Sequence, residues 1–186
     1  MTRCKPTLRT SLLAACLAII GCAQQAPVSV ALLDQGARRV LSEAVYHTTL
    51  FETCATLGGE IELTSLQHQQ DWNIANAALV YAADHQFEIT ESGKMIEYNG
   101  QSFSPGATFL ALTAKSRAIN ELNFSQRSPS NRVKTCEFRF KKITPENIKL
   151  EHNPEIKSIA PTLLSILETP SHGHQAPLDI ASRVPT

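Results

Sequence analysis

The chain has 186 residues with 17 Lys and Arg against 17 Asp and Glu, and 42% of its residues are hydrophobic. That length suits one domain with a real core and is too short for two comfortable ones. The balanced charge argues against nucleic-acid binding, and no apolar run approaches the roughly 20 residues needed to span a bilayer.

The first twenty-one residues carry Arg3, Lys5 and Arg9 and no acid, followed by an apolar run from Leu12 to Ile20. This is the charged and hydrophobic pattern of a secretory signal peptide, and it implies export. The end of the run resembles the lipobox of bacterial lipoproteins, in which aliphatic and small residues precede a cysteine that is acylated and becomes the new N-terminus. Both Leu13-Ala14-Ala15-Cys16 and Ile19-Ile20-Gly21-Cys22 fit the pattern. Cleavage before Cys16 would leave a hydrophobic region shorter than the roughly 7 to 15 residues a signal requires, so Cys22 is the expected lipidation site. The competing reading is that these cysteines are ordinary members of the apolar run and cleavage falls near Ala23 to Ala26. Under the lipobox reading Ala23, which is not Asp, implies the outer membrane, with the domain facing the periplasm.

Removal of residues 1–21 would leave 165 residues with a net charge of −3. Residues 22–30 then form a lipidated tether, 31–168 a helical domain and 169–186 a Pro-containing tail of disordered composition. From Glu43 to Glu97 there are nine acids and one base, Lys94, whereas Lys115 to Lys142 holds eight bases and two acids. The simplest expectation is that the acidic segment lies against the basic one. A charged partner is the alternative.

In chain order, Leu33, Ala37, Val40, Ala44, Phe51 and Cys54 recur at helical steps interrupted by His47, and Gly58-Gly59 ends the stripe. Thr64-Ser65-Leu66-Gln67 has capping-box spacing and predicts the start of a second helix with Trp72, Ala75, Leu79, Ala82 and Ala83 on one face. The two form an αα-hairpin. Asn99-Gly100 is a hairpin signal, so residues 87–103 admit a short antiparallel ribbon, although their flanks are helical and weigh against it. Ser104-Pro105 reads as N-cap and first residue of a helix with Phe109, Leu112, Ile119 and Leu122 along one side. A loop is expected over Ser125 to Asn131. Residues 132–143 fit a helix through Val133, Cys136, Phe140 and Ile143, and a strand through Cys136, Phe138 and Phe140. The helical company of the chain favours the helix. Asn153-Pro154 caps a last helix in which Pro161 forces a kink or restart. The expected fold class is mostly α, a single small domain of about four to five helices with one disulfide.

That disulfide joins Cys54 and Cys136, the two cysteines left after Cys22, because a lone pair of thiols in an oxidising compartment usually bonds. Closing a loop of about 80 residues contributes roughly 4 kcal/mol in the chain-entropy model. Neither cysteine has the spacing of a metal or redox motif.

Chemistry is thinly signalled. His47 follows Glu43 by one helical turn, the spacing of an acid-base or metal pair, though such a pair is more often a surface or boundary contact. His68 and Asp71 precede Trp72 and could line a polar pocket, but the favoured expectation is that His68 packs on the Trp72 ring one turn away. His172-Gly173-His174 lacks a third ligand. No nucleophile elbow, zinc signature, phosphate loop or dinucleotide fingerprint occurs, so no cofactor is expected. The leading expectation is therefore a lipid-anchored, non-enzymatic binding or assembly lipoprotein with a membrane contact through its lipid and an envelope protein partner. The alternative is a small periplasmic hydrolase or metal-dependent enzyme using His47 or His68.

Overall fold

Ser29 opens the first helix, its Oγ accepting a hydrogen bond from the Leu32 amide at 3.3 Å. The computed structural model describes residues 29–98 and 100–168, so the signal segment with Cys16 and Cys22, nearly all of the tether, and the tail with His172 and His174 lie outside the described residues. Helix α1, Val30–Ala55, buries Ala37, Val40, Leu41, Ala44, Phe51 and Cys54, much as the apolar stripe requires. Gly58 and Gly59 then take left-handed backbone angles, φ 72° and 62°, which glycine adopts without a steric penalty and which reverse the chain.

Helix α2, Gly59–Glu91, has its N-cap at Gly58, six residues earlier than the Thr64 cap predicts. The Thr64 and Ser65 hydroxyls donate back to the carbonyls of Glu60 and Ile61 one turn before, as they do inside a continuous helix. Glu60 and Glu62 occupy the first turn, where acids favour the positive end of the helix dipole. Trp72, Leu79, Ala82, Ala83 and Phe87 face the core, and α1 and α2 pack as the long αα-hairpin.

The ribbon exists but is short. Strands β1, Ile96–Tyr98, and β2, Gln101–Phe103, pair antiparallel with Ile96 opposite Phe103. Residues 87–91 belong to α2 rather than to a strand.

Helix α3, Pro105–Leu122, starts as expected, with Ser104 Oγ accepting from the Ala107 amide. Its buried face differs from expectation. Ala111, Ala114, Ala118 and Leu122 are buried, while Phe109, Leu112 and Ile119 are 73%, 52% and 54% exposed. The reason is packing distance: a row of alanines lets α3 approach α1, where Ala111 and Ala114 meet Val45, and the larger side chains are left outside.

The expected loop contracts to a 3₁₀ turn, Phe124–Gln126, before helix α4, Pro129–Phe140. The helical reading of this segment holds: Cys136 and Phe140 are buried and Phe138, which a strand would align with them, is 56% exposed. The Cys54–Cys136 disulfide is present, with Cα atoms 5.9 Å apart, and ties α4 to the end of α1.

Ile148 to Leu150 is pinned on α2 by a buried side chain. Asn76 Nδ2 donates to the Ile148 carbonyl at 2.8 Å and its Oδ1 accepts from the Leu150 amide at 2.7 Å. Asn153 caps the short helix α5, Pro154–Lys157, and the chain restarts as α6, Ala160–Glu168, with Pro161 in its first turn. This break explains six α-helices among the described residues where four to five are expected. Ile159 between them sits against Gly36 of α1 so closely that a Cβ there would overlap it.

Candidate functional site

The two histidines singled out by the sequence sit on an aromatic seam between α1, α2 and α4. His47 stacks on Trp72 with ring centroids 5.2 Å apart and meets Tyr46 edge-on at 5.1 Å. Its Nδ1 is buried with no hydrogen-bond partner among the described residues. Burial, helped by Arg117, pushes its pKa down to about 4 against the opposing pull of Glu43 and Glu121, so the ring is neutral at neutral pH.

Glu43 does not serve His47. Its carboxylate receives both terminal nitrogens of Arg117, at 3.1 and 2.9 Å, and Arg39 approaches from one turn away. Arg117 also covers the Tyr46 ring at 4.1 Å, and the Tyr46 hydroxyl donates to Glu121, which pairs with Arg139. Burial and the Glu121 bond raise the Tyr46 pKa to about 12. This network cross-links α1, α3 and α4 and leaves no carboxylate committed to the imidazole.

His68 departs from expectation. It packs on Phe140 at 4.8 Å and lies parallel to Phe51 at 6.4 Å, while His47 takes the Trp72 ring. Asp71 accepts from Gln67 on the exposed side of α2. A cavity of about 250 Å³ beside His47 and Trp72 includes Arg139, Lys142 and Asn147 in its wall and no acid among the described residues. No group of three His, Cys, Asp or Glu side chains that could hold a metal occurs among them either.

A larger cavity, about 560 Å³, lies at the opposite end of the α1–α2 hairpin. Its walls come from Leu41 of α1, the last two turns of α2, the β-ribbon and the first two turns of α3. Glu91 anchors this end. Its carboxylate accepts from Arg38 at 2.6 Å, Lys94 at 3.0 Å and Ser104 at 2.8 Å, and Arg38 also lies over the Phe87 ring. Burial alone would raise the Glu91 pKa, but the donors from Lys94, Arg38 and Ser104 outweigh it and hold the pKa at about 2. Gly106 is required beside it, because a Cβ at that position would fall on the carboxylate.

Arg117 to Glu43 joins the basic and acidic segments, as expected from the charge distribution. Glu91 is instead neutralised by Arg38 and Lys94, and Arg139 turns to Glu121 within its own segment, so much of the pairing is local. Sequence reasoning missed Glu91, Arg38 and Asn76. Arg38 and Glu91 lie 53 positions apart and Asn76 reaches its partners more than 70 positions away, so no local pattern signals these contacts.

These features define a small disulfide-linked helical domain built on one long αα-hairpin, with an apolar cavity at one end and an aromatic seam near the other. Comparison with protein-family models, with curated proteins and with solved structures gave no match.

Proposed function

We propose that this chain is a lipid-anchored lipoprotein of the bacterial envelope, held at the outer membrane through Cys22, whose domain binds an envelope protein without catalysing a reaction on it. The lipobox-like end of the apolar run supports the anchoring. The observation that carries the binding role is the outer face of α3. Phe109, Leu112 and Ile119 recur there at helical spacing and are all more than half exposed, while the same helix spends its alanines on the core. Apolar residues at such steps are the pattern by which one helix engages a partner surface. The enzymatic alternative is less well supported, since Glu43 is committed to Arg117 and the His47 ring is packed flat on Trp72.

The test is cross-linking in intact cells with a photoreactive residue at Leu112. A discrete adduct is expected with the wild-type chain, and Phe109→Asp together with Ile119→Asp should abolish it. Both residues are exposed, so the double variant should change stability by less than about 1 kcal/mol. An adduct that persists in the folded double variant removes this face from the proposal.

A further inference from the structure

We propose that the end of the domain carrying the first turn of α1 and the β-ribbon rests on a phospholipid surface and sets the orientation of the anchored domain. Four elements meet at this end. Arg38 of α1 donates to Glu91 in the last turn of α2, Ser104 at the start of α3 donates to the same carboxylate, and Leu32 of α1 and Gly106 of α3 border one groove. The ribbon joins α2 to α3 there. Val30 and Tyr98 are 75% and 68% exposed, and Leu32, Met95 and Ile96 are about half exposed. All three residues of β1 are exposed, so neither face of that strand is packed on the bundle. A ribbon of two such short strands gains little stability in water by itself, and apolar cover would stabilise it.

The position of the anchor identifies what covers this end. Helix α1 starts at Val30, and its N-cap Ser29 stands seven positions after Cys22. Seven residue steps reach at most about 25 Å. With Cys22 acylated, the bilayer approaches the domain from the end at which α1 begins. The opposite end, where Cys54 bonds to α4, lies on the order of 36 Å farther along α1 at 1.5 Å per residue. Charge does not oppose the contact, since Arg38 pairs with Asp34 and Glu91, and Lys94 with Glu91. Glu97 alternates to the face of β1 opposite Ile96 and Tyr98. Valine, leucine, isoleucine and methionine suit the acyl boundary, and tyrosine suits the headgroup level, where its ring meets apolar surroundings and its hydroxyl meets water. A patch of this kind orients a protein that a lipid already holds at the membrane.

This inference rests on the Cys22 anchor and not on the outer face of α3. The test uses the full chain, expressed with its signal segment, purified and reconstituted with vesicles of phosphatidylethanolamine and phosphatidylglycerol. A benzophenone amino acid replaces Tyr98 or, as the control, Phe138, an exposed aromatic residue of α4. After illumination, lipid adducts measured by mass spectrometry are expected to be at least about fivefold more abundant from the Tyr98 site than from the Phe138 site. Ile96→Asp should lower the Tyr98-site yield at least about threefold and leave palmitate labelling unchanged. Because Ile96→Asp also loosens the ribbon, Val30→Asp combined with Leu32→Asp provides a second variant that leaves the ribbon intact and should lower the yield as far. Equal adduct yields at the two sites, a Tyr98-site yield unchanged in both variants, or a photodimer from the Tyr98 site in place of lipid adducts would each overturn the proposal, while persistent palmitate labelling would leave the anchor standing. A chain that carries no palmitate and does not bind the vesicles would overturn the anchor and this orientation together.

Discussion

His47 shows how one buried ring links packing to pH. Its ordinary pKa near 6.5 falls to about 4 in the folded chain, so the unfolded chain takes up a proton first as pH drops. Stability attributable to the neutral ring is therefore complete above about pH 6.5 and is lost progressively as pH falls towards 4. The shift corresponds to a penalty on the order of 3 kcal/mol at the acid end. His47→Phe keeps the stack on Trp72 and removes the titrating group. Denaturant midpoints measured between pH 7 and 4 should fall steeply for the wild-type chain and much less for this variant. Glu91 behaves differently, because its pKa of about 2 lies below the ordinary carboxylate value. Its contribution is intact above about pH 4.5 and fades only below that, so the two residues act in separate windows. Neither behaviour is legible in the sequence. A histidine inside an apolar stripe signals burial, but Arg117 beside it and Arg38 beside Glu91 come from distant positions.

Among the elements, α4 depends most on its covalent link. It buries only Cys136 and Phe140 of its twelve residues, whereas α1 and α2 bury eleven each and hold one another. Reduction, or Cys54→Ser, should lower stability by about 2 to 5 kcal/mol. The loss should also be uneven. Hydrogen exchange in the reduced protein should quicken most over Pro129–Phe140 and least in the α1–α2 hairpin, since local opening follows the element with fewest buried contacts. Uniform acceleration along the chain would show instead that α4 is integral to the core. The rotation of α3 teaches a related lesson. Phe109, Leu112, Ile119 and Leu122 look like a core stripe by hydrophobicity, yet Ala111, Ala114 and Ala118 win the buried side because they allow close approach to α1.

For the whole molecule, the described residues contain no helix long and apolar enough to cross a membrane. Membrane association in the proposed function therefore rests on the N-terminal segment. Cys22→Ala should abolish palmitate labelling and move the protein out of the membrane fraction, while Cys16→Ala should leave both unchanged. Labelling that survives loss of Cys22 but not of Cys16 would reassign the anchor. The charge asymmetry of the two halves also finds its meaning at this scale. Acids on α1 and α2 and bases on α3 and α4 meet at Glu43 and Arg117, but local partners such as Lys94 and Glu121 take much of the rest.

The sequence by itself determined the elements whose signals are local. The α1 stripe, the Gly58-Gly59 reversal, the Ser104-Pro105 start, the restart around Pro161 and the mostly helical class all rest on periodicity, caps and breakers within a few residues. It also singled out Cys54 and Cys136 as a bonded pair, on the expectation of an oxidising compartment in which two remaining thiols usually bond. Only the tertiary structure decided where α2 begins, which face of α3 is buried, how far the β-ribbon extends, and which aromatic ring each histidine meets. Those outcomes depend on how closely two helices can approach and on which distant side chains neutralise a buried charge. The cavity belongs to the same category. It is formed by parts of α1, α2, the ribbon and α3 that no local pattern connects, and it exists only once the fold brings them together.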